Sequence, residues 1–202
     1  MFNIGVDEIG TGSVISSYIV CGVRALENSP ELRQMVDFKR LNDSKKLKPA
    51  ERERAVKELI ELRDSGIIQV VITEVSQEKI EAGYQQALIG GYLDTIASFQ
   101  DQECPVILDG IVKTGLTRVQ NVVKADTKIP CVMAASCIGK VFRDQLMNQI
   151  DLEFPQYNWK KNKGYLSPEH RTAIKEHGLS KYHRKSYKIG SKNEPGTQRQ
   201  IL

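Results

Sequence analysis

Phe2-Asn3-Ile4-Gly5-Val6-Asp7-Glu8-Ile9-Gly10-Thr11-Gly12 places apolar side chains at positions 2, 4 and 6 and then closes on two glycines. A period of two is that of a half-buried strand, and the glycines permit a tight turn, so the segment reads as a strand that ends by delivering Asp7 and Glu8. Successive residues of a regular strand point to opposite faces, so an ideal strand cannot aim both acids into one site. The expectation is a strand that distorts or stops here, with Gly10 and Gly12 supplying backbone freedom.

Working outward, Ser17 to Leu26 reads as a second strand, and Ser29-Pro30-Glu31 signals a helix start. Pro49 to Asp64 is a charged amphipathic helix closed by Gly66, and Ile67 to Val75 is a strand. Ser76 to Phe99 reads as one helix running through Gly90-Gly91. Pro105 to Leu108 is a short buried strand delivering Asp109-Gly110, and Val119 to Val123 repeats the pattern ahead of Asp126. From Pro130 the positions Ile138, Val141, Phe142, Met147 and Ile150 recur at helical spacing, and Ser167-Pro168-Glu169 to His177-Gly178 has the start and stop of a capped helix. Early hairpin strands followed by alternating helices and strands predict an α/β domain with a mixed sheet and helices on its faces. No repeat or linker divides the 202 residues, so one domain is expected, with a polar tail from about Gly190.

Composition narrows the function classes. No run approaches the roughly 18 apolar residues a membrane helix needs, and Asp7 and Glu8 stand where a secretory signal would be apolar, so a soluble cytoplasmic chain without membrane contact is expected. Cys21, Cys104, Cys131 and Cys137 form no C-x-x-C pair and sit in apolar contexts, which predicts reduced core thiols. His170, His177 and His183 lack metal-ligand spacing, so zinc is not expected. Net charge is +4, yet residues 151–202 hold 11 Lys/Arg against 5 Asp/Glu while the first 150 residues carry −2. With a second basic cluster at Lys39, Arg40, Lys45, Lys46 and Lys48, this is a footprint suited to a phosphate backbone, or else a solvated face.

Three separate strand ends deliver acids, Asp7-Glu8, Asp109 and Asp126. Strand termini at one edge of a sheet can converge, and carboxylates gathered without balancing cations repel unless they hold divalent metal, for which Mg²⁺ is the natural occupant. Phosphodiester hydrolysis needs two such ions roughly 4 Å apart, which four carboxylates can bracket. Taken singly, Asp109 can instead start a turn with Gly110, and Asp126 can be solvated.

Gly5-Val6-Asp7-Glu8-Ile9-Gly10-x-Gly12, Asn42-Asp43-Ser44-Lys45-Lys46-Leu47, Leu108-Asp109-Gly110, Lys124-Ala125-Asp126, Ala134-Ala135-Ser136-x-x-x-Lys140-Val141-x-Arg143-Asp144, Lys163-Gly164-Tyr165 and His183-Arg184-x-Ser186 occur in that order. In these blocks the chain resembles type 2 ribonuclease H. The resemblance implies a ribonuclease H-like α/β core with a C-terminal helical extension, about residues 151–189, over the substrate groove. It also implies cleavage of the RNA strand of RNA/DNA hybrids by two Mg²⁺ or Mn²⁺ ions, leaving 3′-hydroxyl and 5′-phosphate ends, and incision at single ribonucleotides in duplex DNA. Asp7, Glu8, Asp109 and Asp126 would be the catalytic metal ligands. Gly10, Thr11 and Gly12 would approach the ribose 2′-hydroxyl, Lys45 would hold a backbone phosphate, and Tyr165 would stack on the sugar beside the scissile junction. Asp144, beside Arg143, reads as a structural ion-pair residue.

Thr11 stands where type 2 enzymes usually carry arginine, a feature shared with type 3 enzymes, and Ser13 to Ser17 replaces a usual Gly/Pro-containing stretch. The C-terminal blocks nevertheless resemble type 2. An actin-like sugar kinase or ATPase also carries a strand ending in Asp before Gly-Thr-Gly, but such kinases are longer and two-lobed. A hybrid-binding module without catalysis is the third reading. A monomer is expected, and Gln198-Arg199-Gln200-Ile201-Leu202 is similar to the short peptides that dock on sliding clamps.

Overall fold

The computed structural model describes residues 4–26, 48–101 and 103–189. The expected Ser29 helix start, the Asn42 to Leu47 block with Lys45, and the polar tail with Gln198–Leu202 lie outside the described residues. Five strands, β1 (Ile4–Ile9), β2 (Tyr18–Ala25), β3 (Ile68–Val75), β4 (Val106–Asp109) and β5 (Val119–Val122), form one sheet in the order β3-β2-β1-β4-β5. Pairing is antiparallel from β1 to β3 and parallel across β1, β4 and β5, giving the mixed sheet the residue order predicts. The helices are α1 (Pro49–Asp64), α2 (Gln77–Ala82), α3 (Tyr84–Ala97), α4 (Pro130–Glu153), α5 (Trp159–Asn162) and α6 (Pro168–His177). None of the described helices is long and apolar enough to cross a membrane.

The period-two pattern sorts β1 and β2 between two cores. Ile4, Val6, Tyr18 and Val20 pack with Ile80, Tyr92, Ile96 and Phe99 of the α2–α3 side, whereas Ile9, Cys21 and Val23 meet Val56, Leu59, Met133 and Ile138 of α1 and α4. A third cluster joins Val14 and Ile15 after β1 to Met147 and Ile150 of α4 and to Tyr157, Trp159 and Ala173 of the C-terminal helices. None of the four cysteines is in a disulfide, and Cys21, Cys104 and Cys137 are buried while Cys131 is half-buried.

Two expectations need correction. The segment from Ser76 is two helices, broken at Gly83, whose extended backbone (φ 169°, ψ 107°) interrupts the helical hydrogen bonds. Gly90-Gly91, by contrast, stays helical, and Gly91 serves close packing, since a Cβ there would come within 2.6 Å of Val75. Second, β1 neither distorts nor stops at Asp7: its ladder with β2 continues through Asp7↔Cys21, Glu8↔Val20 and Ile9↔Ile19. Also, Phe142, grouped above with the apolar positions of α4, is 38% exposed.

Helix α4 lies unusually close to β1. A Cβ at Gly5 would fall 2.4 Å from the backbone of Cys131 and Val132, and one at Gly139 would fall 2.3 Å from Ile9 Cδ1. The Gly5 contact is with backbone, which cannot rotate away. Gly5→Ala is therefore expected to lower unfolding free energy by about 1–3 kcal/mol through overpacking, read as a reduced urea midpoint, and an unchanged midpoint would show that the helix can retreat without cost.

Candidate active site

The parallel register runs Ile4↔Val106, Gly5↔Ile107 and Val6↔Leu108, so the next residues outward are Asp7 and Asp109, side by side at the carboxyl ends of β1 and β4. Beyond β5, Lys124 takes left-handed backbone (φ 58°, ψ 40°) and turns the chain into the short 3-10 segment Ala125–Thr127 that carries Asp126. Asp109 Oδ1 accepts a 2.7 Å hydrogen bond from Ala125 N, tying that turn to the strand end. One carboxylate oxygen each from Asp7, Asp109 and Asp126 then lies within 4.8 Å of the others.

Burial and then the charge of Glu8 push the Asp7 carboxyl up to about 7, opposed by a hydrogen bond from Ser136 and the charge of Lys140. Lys140 Nζ in turn donates to Ser136 Oγ at 2.6 Å, so two residues one helical turn apart on α4 support Asp7. The close fit of α4 at Gly5 and Gly139 brings them there. Three acids gathered with so little compensation form an oxygen-donor set suited to a hard divalent cation.

Glu8 points to the opposite face of β1 and accepts a hydrogen bond from the buried Tyr92 hydroxyl. Burial pushes its pKa up, and Asp109 and Asp126 push it further, so Glu8 shares their field without joining the group of three. Asp144 pairs with Arg52 at 3.2 Å and Lys163 at 3.8 Å, fitting the ion-pair reading, though Arg143 is not its partner.

Next to the acids, Gly10 (φ 90°) begins a turn closed by Ser13 N donating to Gly10 O at 3.1 Å. A Cβ on the exposed Gly12 would come 3.6 Å from the ring of Tyr165, so turn and tyrosine stand together. Tyr165 follows Lys163 (φ 53°) and Gly164 (φ 78°), and only glycine fits at 164, where a Cβ would lie 2.4 Å from Ser13 Oγ and Ile15. Two buried arginines hold the segment after the turn. Arg143 donates to Ser13 Oγ and Ile15 O, each at 3.1 Å, and Arg184 to the carbonyls of Ser13 (2.6 Å), Ser16 (2.7 Å) and Ser17 (3.0 Å).

The ribonuclease HII family model matches residues 4–189. The chain belongs to the ribonuclease HII family. A ribonuclease HII of Aliarcobacter butzleri is 33% identical over 98% of this chain and 97% of its own, and one of Pelagibacter ubique is 36% identical over 91% and 94%. Among solved structures, the PCNA:RNase HII complex from Archaeoglobus fulgidus matches with TM-score 0.74 and 27% identity, covering 91% of this chain and 92% of that one. The Pyrococcus horikoshii ribonuclease H2 shares the fold, with TM-score 0.75 at 23% identity over 94% and 95%. Membership of this family makes the chain a hydrolase of the ribonuclease H class. Ser136, Lys140, Arg143 and Arg184 lie in family blocks visible in the sequence, but nothing there assigns them a role, and no sequence signal singles out Tyr92.

The C-terminal side is built on neutral histidines. His183 Nδ1 accepts from Ser180 N (2.8 Å), which leaves its Nε2–H facing His170 Nε2 at 3.3 Å. That acceptor also receives Trp159 Nε1–H at 3.0 Å, so His170 Nδ1–H donates to Tyr165 O at 2.9 Å. Burial, then His170, holds His183 down to about 4, and burial lowers His170. The unfolded chain, titrating near 6.5, then binds more protons than the native one, so this contribution is complete above that pH and is lost as pH falls toward 4. Asp7 acts oppositely, because its raised pKa lets the native state take up a proton first as pH falls. Glu8, also raised, acts in the same sense as Asp7, so the test is a difference: the unfolding free energy that His183→Asn loses relative to the parent chain should shrink from pH 6.5 to pH 4.5, and parallel curves would contradict the neutral pair.

Proposed function

We propose that this chain cuts the RNA strand of RNA/DNA hybrids by two-metal-ion hydrolysis at Asp7, Glu8, Asp109 and Asp126, leaving 3′-hydroxyl and 5′-phosphate ends, and that it also incises duplex DNA at single ribonucleotides. The observation that carries the reading is the convergence of Asp7, Asp109 and Asp126 oxygens within 4.8 Å beside an open glycine turn. Bound at these oxygens, Mg²⁺ or Mn²⁺ would lower the pKa of the attacking water and offset charge on the leaving oxygen.

The chain's own groups supply position. Asp109 holds the Asp126 turn through Ala125 N, Ser136 and Lys140 orient Asp7, and Tyr92 orients Glu8. In this reading Gly10-Thr11-Gly12 offers backbone groups to the ribose 2′-hydroxyl, the group that separates RNA from DNA, and Tyr165 stacks on the adjoining sugar. Lys45 takes a backbone phosphate, and the C-terminal helices cover the groove. The tail Gln198–Leu202 docks on a sliding clamp, a reading supported by the relative from Archaeoglobus fulgidus solved in complex with PCNA.

Asp109→Asn removes charge with little change of shape. Cleavage of labelled hybrid is expected to fall below a few per cent of wild type while hybrid binding persists, and retained turnover would reject the site. Asp126→Asn is expected to be milder, with a loss that differs between Mg²⁺ and Mn²⁺. Thr11 has no charged donor, and a hydrogen bond to a charged group is worth roughly 1.5–3 kcal/mol, or about ten- to a hundredfold. A lone ribonucleotide presents a single 2′-hydroxyl, so Thr11→Arg is expected to raise kcat/KM on single-ribonucleotide duplex relative to uniform hybrid. An unchanged or lower ratio would show that this side chain is not limiting.

A further inference from the structure

We propose that Arg184, together with Tyr187, is a positioning residue that locks the Thr11–Gly12 peptide so that the Gly12 amide N–H faces the substrate; the inference rests on reading the Gly10–Gly12 turn as the 2′-hydroxyl reader. Arg184 is fully buried, its guanidinium 5.8 Å from the Tyr18 ring centre and 5.0 Å from that of Tyr187. Among the described residues no carboxylate lies within ion-pair distance of it. A buried cation is costly unless its donors are satisfied, and here backbone carbonyls do that work. Besides Ser13, Ser16 and Ser17, the guanidinium reaches Thr11 O at 3.1 Å. Tyr187 Oη donates to the same Thr11 oxygen at 2.7 Å, so that carbonyl is held from inside by two donors.

Peptide geometry carries the consequence outward. A planar trans peptide directs its N–H opposite to its C=O, and the described residues contain no cis bond. With the Thr11 carbonyl turned toward buried Arg184, the Gly12 N–H points the other way. That side is open: Gly12 is exposed, and the only neighbour its missing Cβ would meet is the ring of Tyr165. Among the described residues no acceptor takes the Gly12 N–H. The next peptide behaves alike, since the Ser13 carbonyl goes to Arg184 while Val14 N donates in the opposite sense to Gly164 O at 3.0 Å. Were Thr11 O released, the peptide could rotate and withdraw its donor. Arg184 therefore acts through the backbone and touches no reacting atom.

The test uses the full chain in an Asp109→Asn background, which leaves substrate intact. Affinities for a short RNA/DNA hybrid and for DNA duplex of the same sequence are measured with Mg²⁺ by fluorescence anisotropy, and folding is checked by circular dichroism and melting. Tyr187→Phe removes one of the two donors and is expected to reduce the preference for hybrid over DNA about fivefold, the worth of one hydrogen bond, by weakening hybrid binding alone. Arg184→Lys is expected to reduce it further. A merely structural role would weaken both duplexes equally or lower the melting temperature with the preference intact. If Arg184→Lys does not fold, Tyr187→Phe decides. A folded Tyr187→Phe chain with undiminished preference overturns the positioning role and leaves the turn's assignment standing, whereas a parent chain with no preference for hybrid overturns both.

Discussion

Three carboxyl groups whose oxygens approach within 4.8 Å repel one another, and two of them, on Asp7 and Asp126, are buried, so each has given up water as well. Such a cluster persists only where the surrounding fold holds it. The parallel pairing of β1 with β4 sets Asp7 beside Asp109, and the left-handed Lys124 with the Ala125 N to Asp109 bond returns Asp126 to them. Helix α4, admitted by Gly5 and Gly139, brings Ser136 and Lys140 against the far side of Asp7. Burial first, and then the charges of Glu8 and Asp109, raise the Asp7 pKa to about 7, and a cation at this carboxylate would favour its charged form against both.

The turn that borders the acids is held in a different way. Its carbonyls face a buried guanidinium, and its far flank rests on the Gly164 loop and the bridge from Ile15 to His183. The acid cluster thus belongs to the sheet and α4, while the turn is held by groups more than 125 residues later in the chain. Interior contacts of this kind link the C-terminal helices to the site, through the neutral histidine pair and the Tyr165 carbonyl it fixes.

Much of this was legible in the residues. Alternation in Ile4–Ile9, the caps at Ser167 and Gly178, and the boundaries of Pro49–Asp64 follow from local rules, and the structure keeps them. The split at Gly83 was not legible, because a glycine pair is the usual suspect for a break, and only the packing shows that Gly91 serves a close approach to Val75 within an unbroken helix. Nor was the path of Glu8. Local reasoning demanded a distorted strand to bring adjacent acids together, whereas the regular strand sends them to opposite faces and Tyr92 meets Glu8 on the second.

By itself the sequence determined the family, through the resemblance of its motif blocks, and, from residue type and period, the strand ends that carry Asp7, Glu8 and Asp109 and the glycines of the turn. Tertiary structure alone decided which acids converge, which face Glu8 takes, and which way the Thr11–Gly12 peptide points. Those depend on strand register, on a helix approaching within the width of a missing methyl group, and on Arg184 reaching back across the chain to backbone carbonyls, none of which has a local signature.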